Sequence, residues 1–256
     1  MNFTTRLKLK IERETHALMF RGQPVSLPQA LAQKNGGKSL AVPVWRTIST
    51  GAKLQNTYLA DKLKREELGT WALDACTLNF LEQEIIRLRP QAIFEFGTGL
   101  STLCLARYLF ELWGDTDKPR VFSVEQNEWQ VEKSLEQLAV HGLGPWVRLL
   151  HAPLKAQTVE GLATECYELS EARLAEFLGD ARPNMILVDG PSGDGTVRFG
   201  TLPLLYAYAA PQAVFYLDDA FRPEELDVAE RWSTLSYLSI VDLRKIGKGL
   251  LTGLVR

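Results

Sequence analysis

The stretch Glu95-Phe96-Gly97-Thr98-Gly99-Leu100-Ser101 sets two glycines one residue apart behind an acidic residue. Glycines at 97 and 99 let the backbone turn sharply and let a ligand approach bare N–H groups at the start of a following helix. A dinucleotide-binding turn wants a third Gly or Ala at position 102, where this chain has Thr102. A carboxylate at Glu95 would repel a diphosphate but suits a ligand carrying a cationic amino group. The turn could also be purely structural. A second carboxylate, Glu125, ends the run VFSVE and can take both hydroxyls of a ribose in paired hydrogen bonds. A merely solvated Glu is the alternative, and neighbouring Gln126 can reach the same ligand.

A third constellation is acidic: Asp189 ends MILVD, and Asp218 and Asp219 end AVFYLDD. Three carboxylates at one edge repel one another unless a cation, a proton or a substrate amine sits among them. Oxygen-only donors suit Mg²⁺ or Ca²⁺ rather than zinc. Alternatively each Asp caps its following turn, Asp189 in the Gly190-Pro191 turn. His151, just past WVRLL, is either a general base or an ordinary loop histidine. His16 and His141 read as surface or packing residues.

These residues need elements to position them. Leu78, Leu81, Ile85 and Leu88 lie at helical spacing and Pro90 stops the pattern, so a helix delivers the chain into a strand, AIFEF. GTGLS then opens a second helix. VFSVE (121–125), WVRLL (146–150), MILVD (185–189) and AVFYLDD (213–219) are four more strands. A helix around 129–140 follows the second strand, a helix near 170–178 follows a polar stretch, and a helix containing LPLLYAYA precedes the fifth strand. Apolar runs of this length between helices require a parallel sheet covered on both faces. LSIVDL (238–243) and LLTGLV (250–255) leave no room for a crossover helix and must pair antiparallel. The expected fold is α/β, doubly wound and Rossmann-like, parallel with a C-terminal antiparallel hairpin.

The chain has 256 residues, 46% hydrophobic and 23% charged, with a net charge of −2. That composition excludes disordered, collagen and coiled-coil classes. No apolar stretch is long enough to span a membrane, since Pro203, Pro211 and Gln212 interrupt the greasiest segment. The N-terminus lacks the apolar core of a signal peptide, so the expected compartment is the cytoplasm. Cys76, Cys104 and Cys166 are odd in number and scattered, against a disulfide framework or a zinc site. Residues 1–70 carry twelve Lys/Arg against five Asp/Glu, a basic N-terminal extension or cap rather than an independent domain. It could meet an anionic partner or pack over one edge of the domain at 71–256, and it lacks the interleaved aromatics of a base-stacking surface.

EFGTGLSTLCLA, SVEQN, CYELS, ILVDGPSG, RFGTLPLL and YLDDAFRPEE, in this order, resemble the class I S-adenosylmethionine-dependent methyltransferases, in particular a bacterial group with VDGP and LDDAxR motifs. The resemblance covers the chain from about Trp71 onward. It implies that Glu95, Gly97, Thr98, Gly99 and Ser101 surround the methionine part of S-adenosylmethionine, that Glu125 holds its ribose, and that the turn His151 to Leu154, Pro153 included, lies near its adenine. The chain is more distantly similar to the catechol O-methyltransferases, whose metal-binding Asp and Asp-Asn positions fall on Asp189, Asp218 and Asp219. It departs from them at Asp219, where they have Asn, and at Ser192, where they have a lysine base. The (D/N)PPY signature of enzymes that methylate amino groups of DNA bases or glutamine is absent.

The resulting expectation is methyl transfer to a hydroxyl of a small molecule or sugar, with Asp189 or Asp219 as base, directly or through Mg²⁺ or Ca²⁺. Arg222 would meet an anionic group of the acceptor; no nucleic-acid partner is expected. A nicotinamide-dependent oxidoreductase and a non-catalytic cofactor-binding protein are the alternatives.

Overall fold

A computed structural model describes residues 24–35, 53–63, 72–114 and 118–256. In chain order the elements begin with β1 (Pro24–Val25), α1 (Leu27–Asn35), α2 (Thr57–Lys62), α3 (Ala75–Leu88), β2 (Ile93–Phe96) and α4 (Leu100–Trp113). There follow β3 (Val121–Glu125), α5 (Glu128–Val140), β4 (Val147–His151), β5 (Leu154–Val159), β6 (Leu162–Tyr167) and α6 (Glu171–Leu178). The chain ends with β7 (Met185–Val188), α7 (Thr201–Leu205), β8 (Val214–Leu217), α8 (Pro223–Trp232), β9 (Leu238–Arg244) and β10 (Leu250–Val255).

One eight-stranded sheet runs in the order β1-β9-β10-β8-β7-β2-β3-β4. Strands β8, β7, β2, β3 and β4 are parallel, and β10 pairs antiparallel with both β8 and β9. Every residue of β2 and β7 is buried, which is why these strands read as unbroken apolar runs. Alternation along β2 divides the interior: Phe94 and Phe96 enter one core with α6 and α8, and Ile93 enters the other with α3 and α4. Glu95 is carried to the second face, towards α4.

Local signals explain the helix boundaries. Asp74 caps α3 by accepting from Thr77 N at 2.9 Å, and Arg89 ends it in the left-handed region at φ 48° just before Pro90. Ser170 caps α6 through Arg173 N. The segment containing LPLLYAYA is helical only over α7, with 3₁₀ turns at Val197–Gly200 and Tyr206–Tyr208 on either side, where a single longer helix was expected. The polar stretch before α6 is also more ordered than expected. It forms the β5–β6 hairpin, a separate two-stranded sheet turned by Glu160 and Gly161 at φ 48° and 77°.

The described parts of the N-terminal extension are stitched onto the domain. Strand β1 pairs with β9 at the sheet edge, and α1 packs on α8, with Lys34 paired to Asp227. On the opposite face, Asn56 caps α2 and donates to Glu82 at 3.1 Å and Glu111 at 2.7 Å, while Leu59 enters the core. Most of the basic segment, His16 included, lies outside the described residues. No described helix is long and apolar enough to cross a membrane.

Candidate active site at the carboxyl ends of the strands

Strand order reverses at β2, whose neighbours β3 and β7 lead to opposite halves of the sheet, and in open α/β sheets ligands bind outside the strands at such a point. The glycine loop sits there. Gly97 has φ +93°, and a Cβ on it would lie 2.8 Å from Gly190 N; one on Gly190 would lie 2.7 Å from Gly97 Cα. The loops after β2 and β7 therefore touch backbone to backbone, a contact that only glycine permits on both sides. Phe96 O fastens them, accepting from Asp189 N at 3.0 Å and Gly190 N at 2.6 Å.

Two carboxylates hold the glycine loop from below. Glu95 is fully buried, and its Oε2 accepts from Thr102 Oγ1 at 2.6 Å, which itself accepts from Gly99 N at 3.0 Å. Thr102, read from sequence only as a missing glycine, is thus the link that ties the loop to Glu95. Glu95 Oε1 has no hydrogen-bond partner among the described residues. Burial pushes this carboxyl up to about 7, against the pull of the Ser101, Thr102 and Ser123 hydroxyls. Glu125 accepts from Thr98 N with Oε2 at 2.9 Å and from Asn127 N with Oε1 at 2.8 Å. Each of its oxygens keeps acceptor capacity, so bracing the loop and holding a hydroxyl pair are compatible. Thr98 and Ser101 are buried and Gly97 and Gly99 half-buried, so the glycines present the loop's surface.

Other expected residues also converge here. The Gln126 amide clasps Ser192 after β7, donating to its O at 3.0 Å and accepting from its N at 2.8 Å. Gln126, expected to reach a ligand, ties the loop after β3 to the loop after β7. His151 ends β4 with Nε2 3.1 Å from Gln126 O, and exposed Pro153 follows.

The acidic rim forms as expected, with oxygens of Asp189, Asp218 and Asp219 within 4.8 Å of one another. Two of the cations that hold these charges together, Arg198 and Lys248, come from segments with no chemical signal in the sequence. Arg198, in the 3₁₀ turn before α7, is 4% exposed and donates to Asp218 O at 3.0 Å, Asp189 O at 2.6 Å and Pro191 O at 3.4 Å. Its guanidinium also lies 3.5 Å from Asp219, 3.5 Å from Glu225 and 3.8 Å from Asp189. From the β9–β10 loop, Lys248 Nζ reaches Asp219 Oδ1 at 3.0 Å. Arg222, expected to face an acceptor's anionic group, pairs with Asp219 Oδ2 at 2.8 Å. The carboxylates of Asp189, Asp219 and Glu225 are thus met by three cations from the chain itself.

The protonation states follow from burial. It pushes Asp189 up to about 6 despite Arg198, and Glu225 to about 7. Asp218 is pushed well above the usual carboxylate range by burial and by Asp189 and Asp219 beside it. As donors, the three aspartates are of the type a hard cation takes. As a charge environment they fit one poorly, because the ion would enter beside an ammonium and two guanidiniums.

No protein-family description matches the chain, and no curated protein does. Solved structures do. The O-methyltransferase TomG from Streptomyces achromogenes, involved in tomaymycin synthesis and solved with S-adenosylmethionine, superposes with TM-score 0.58 at 17% identity, over 84% of this chain and 99% of that one. An O-methyltransferase from Bacillus cereus, in complex with S-adenosylhomocysteine, gives 0.57 at 16%, over 83% and 99%. A putative caffeoyl-CoA O-methyltransferase from Staphylococcus aureus gives 0.56 at 14%, over 78% and 91%. With the parallel sheet, its antiparallel C-terminal pair and the glycine loop at the strand switch, these likenesses give the chain the class I S-adenosylmethionine-dependent methyltransferase fold.

Proposed function

We propose that this protein is an S-adenosylmethionine-dependent methyltransferase acting on an oxygen of a small molecule, sugars included. The observation that carries the reading is the glycine loop at the strand switch, braced by Glu95 and Glu125 and in backbone contact with the loop that presents Asp189. Glu95 offers a buried carboxylate oxygen without a partner, which suits a cationic amino group, and Glu125 has acceptor capacity left for two hydroxyls. The residues present therefore fit the cofactor, which supplies, when bound, a methyl group activated on a sulfonium. The residues expected to contact it, Gly97 to Ser101 with Glu125, His151 and Pro153, lie at and just beyond the carboxyl ends of β2, β3 and β4. Three scattered, buried cysteines fit the expected cytoplasmic compartment.

The chain's own contribution is placement and proton transfer. Holding two reactants in line supplies most of the acceleration such a reaction needs. Asp189 takes the acceptor's hydroxyl proton as the new C–O bond forms. It is better suited than Asp219, the other expected base, because Asp219 is buried between Lys248, Arg222 and Arg198, whereas the Asp189 side chain keeps 14% exposure. A carboxylate raised to about 6 by burial is matched to work near neutral pH.

The test is incubation with S-adenosylmethionine and a panel of hydroxylated small molecules, read by mass spectrometry. The expected result is S-adenosylhomocysteine that appears only with particular acceptors, each gaining one methyl group. Methylation confined to amino or thiol acceptors would overturn the oxygen assignment.

A further inference from the structure

The acidic rim raises a question that the methyltransferase reading leaves open, namely what neutralises it. Three aspartates whose oxygens lie within 4.8 Å of one another have the donor chemistry of a divalent-cation site. Here, however, cations of the chain already hold the cluster. Arg198 is buried behind it and hydrogen-bonded to three carbonyl groups, so its charge is fixed in place. Lys248 lies 3.0 Å from one oxygen of Asp219 and Arg222 lies 2.8 Å from the other. Each oxygen of the central carboxylate therefore faces a cation at close range, and an incoming divalent ion would have to displace the ammonium or sit against it. The two anchors come from separate parts of the chain, a turn before α7 and the β9–β10 loop.

We propose that the rim works without a divalent cation, and that Lys248 and Arg198, with Arg222 outside them, occupy the electrostatic place a metal would take among Asp189, Asp218 and Asp219. This deepens the proposed function by making the transfer metal-independent, but the exclusion of the ion does not itself depend on that reading. Lys248 is the residue to change, because its side chain is 23% exposed and the core does not close around it.

The experiment is a titration of the full chain with Mn²⁺, free ion being followed by electron paramagnetic resonance. Wild type is expected to leave added Mn²⁺ free up to millimolar concentration. Lys248→Met removes the ammonium and is expected to create one site binding Mn²⁺ at least about tenfold tighter, which Asp219→Asn in the same background abolishes. Lys248→Arg, which keeps the charge, should behave as wild type, and circular dichroism checks that each variant is folded. A single micromolar Mn²⁺ site in wild type that Asp219→Asn removes would overturn the proposal, and so would a folded Lys248→Met that binds no better than wild type. Calorimetry with S-adenosylhomocysteine, in Mg²⁺ and in EDTA, keeps the two readings apart. Equal affinity in both supports metal independence, affinity that needs Mg²⁺ counts against it, and absence of binding in both would sink the methyltransferase reading alone.

Discussion

Arg198→Leu is expected to cost about 3–5 kcal/mol of folding stability, the range for removing one partner from a buried ion cluster. For a chain of this size that lowers the melting temperature by on the order of 10 °C. The loss has two parts. The carbonyls of Asp189, Pro191 and Asp218 each lose a donor, and Asp189, Asp219 and Glu225 lose a facing positive charge. Arg198→Lys should restore little, because one ammonium cannot reach three carbonyls arranged around a planar fork. The difference from wild type should narrow as pH falls through about 7 and then 6, where Glu225 and Asp189 take up protons and no longer need the guanidinium. Thermal unfolding followed by circular dichroism between pH 5 and pH 8 measures both effects. An Arg198→Leu protein within about 1 kcal/mol of wild type at pH 8 would mean that the cluster is neutralised by something else.

Asp189→Asn is expected to lower kcat by about 10²–10⁴, the usual contribution of a positioned general base. The amide keeps the shape and hydrogen-bonding size of the carboxyl but cannot take the acceptor's proton. Affinity for S-adenosylhomocysteine should stay near wild type, since the cofactor edge is built on Glu95, Glu125 and the glycine loop. In wild type, activity should fall as pH drops through about 6, because the base works only when ionised and burial holds Asp189 at that value. The residual activity of the variant should lack this limb. Steady-state kinetics against pH, on an acceptor identified by mass spectrometry, decides the matter. Unchanged kcat in a folded Asp189→Asn protein would remove Asp189 as the base.

Much of the fold was legible because its central strands are buried on both faces. AIFEF, VFSVE and MILVD read as apolar runs for that reason, and their ends gave the glycine loop, Glu125 and Asp189 together. The antiparallel end was legible from chain length alone, since five residues between two strands leave no room for a crossover. The β5–β6 hairpin was not, because LKAQTV lacks a clean apolar alternation, half of the residues of the two strands are exposed, and their Glu-Gly turn is not one of the strong hairpin pairs.

In the site, residue types were easier to read than their partners. The need for a positive charge among three aspartates follows from their convergence. That it comes from Arg198 and Lys248 depends on a turn and a loop that fold back from elsewhere in the sequence. RFGTLPLL and RKIGKG carry these residues with no local pattern that separates them from surface cations. Thr102 is a similar case. Its hydroxyl means nothing until Glu95 and Gly99 N are seen on either side of it.

The most direct test of the central claim is calorimetric titration of the full chain with S-adenosylhomocysteine, beside Glu125→Ala. One molecule per chain should bind with a dissociation constant on the order of micromolar, and Glu125→Ala should weaken it at least about tenfold by removing the hydroxyl acceptor and the brace on Thr98. No heat of binding at millimolar ligand, from wild-type protein shown to be folded, would contradict the assignment of this cleft to S-adenosylmethionine.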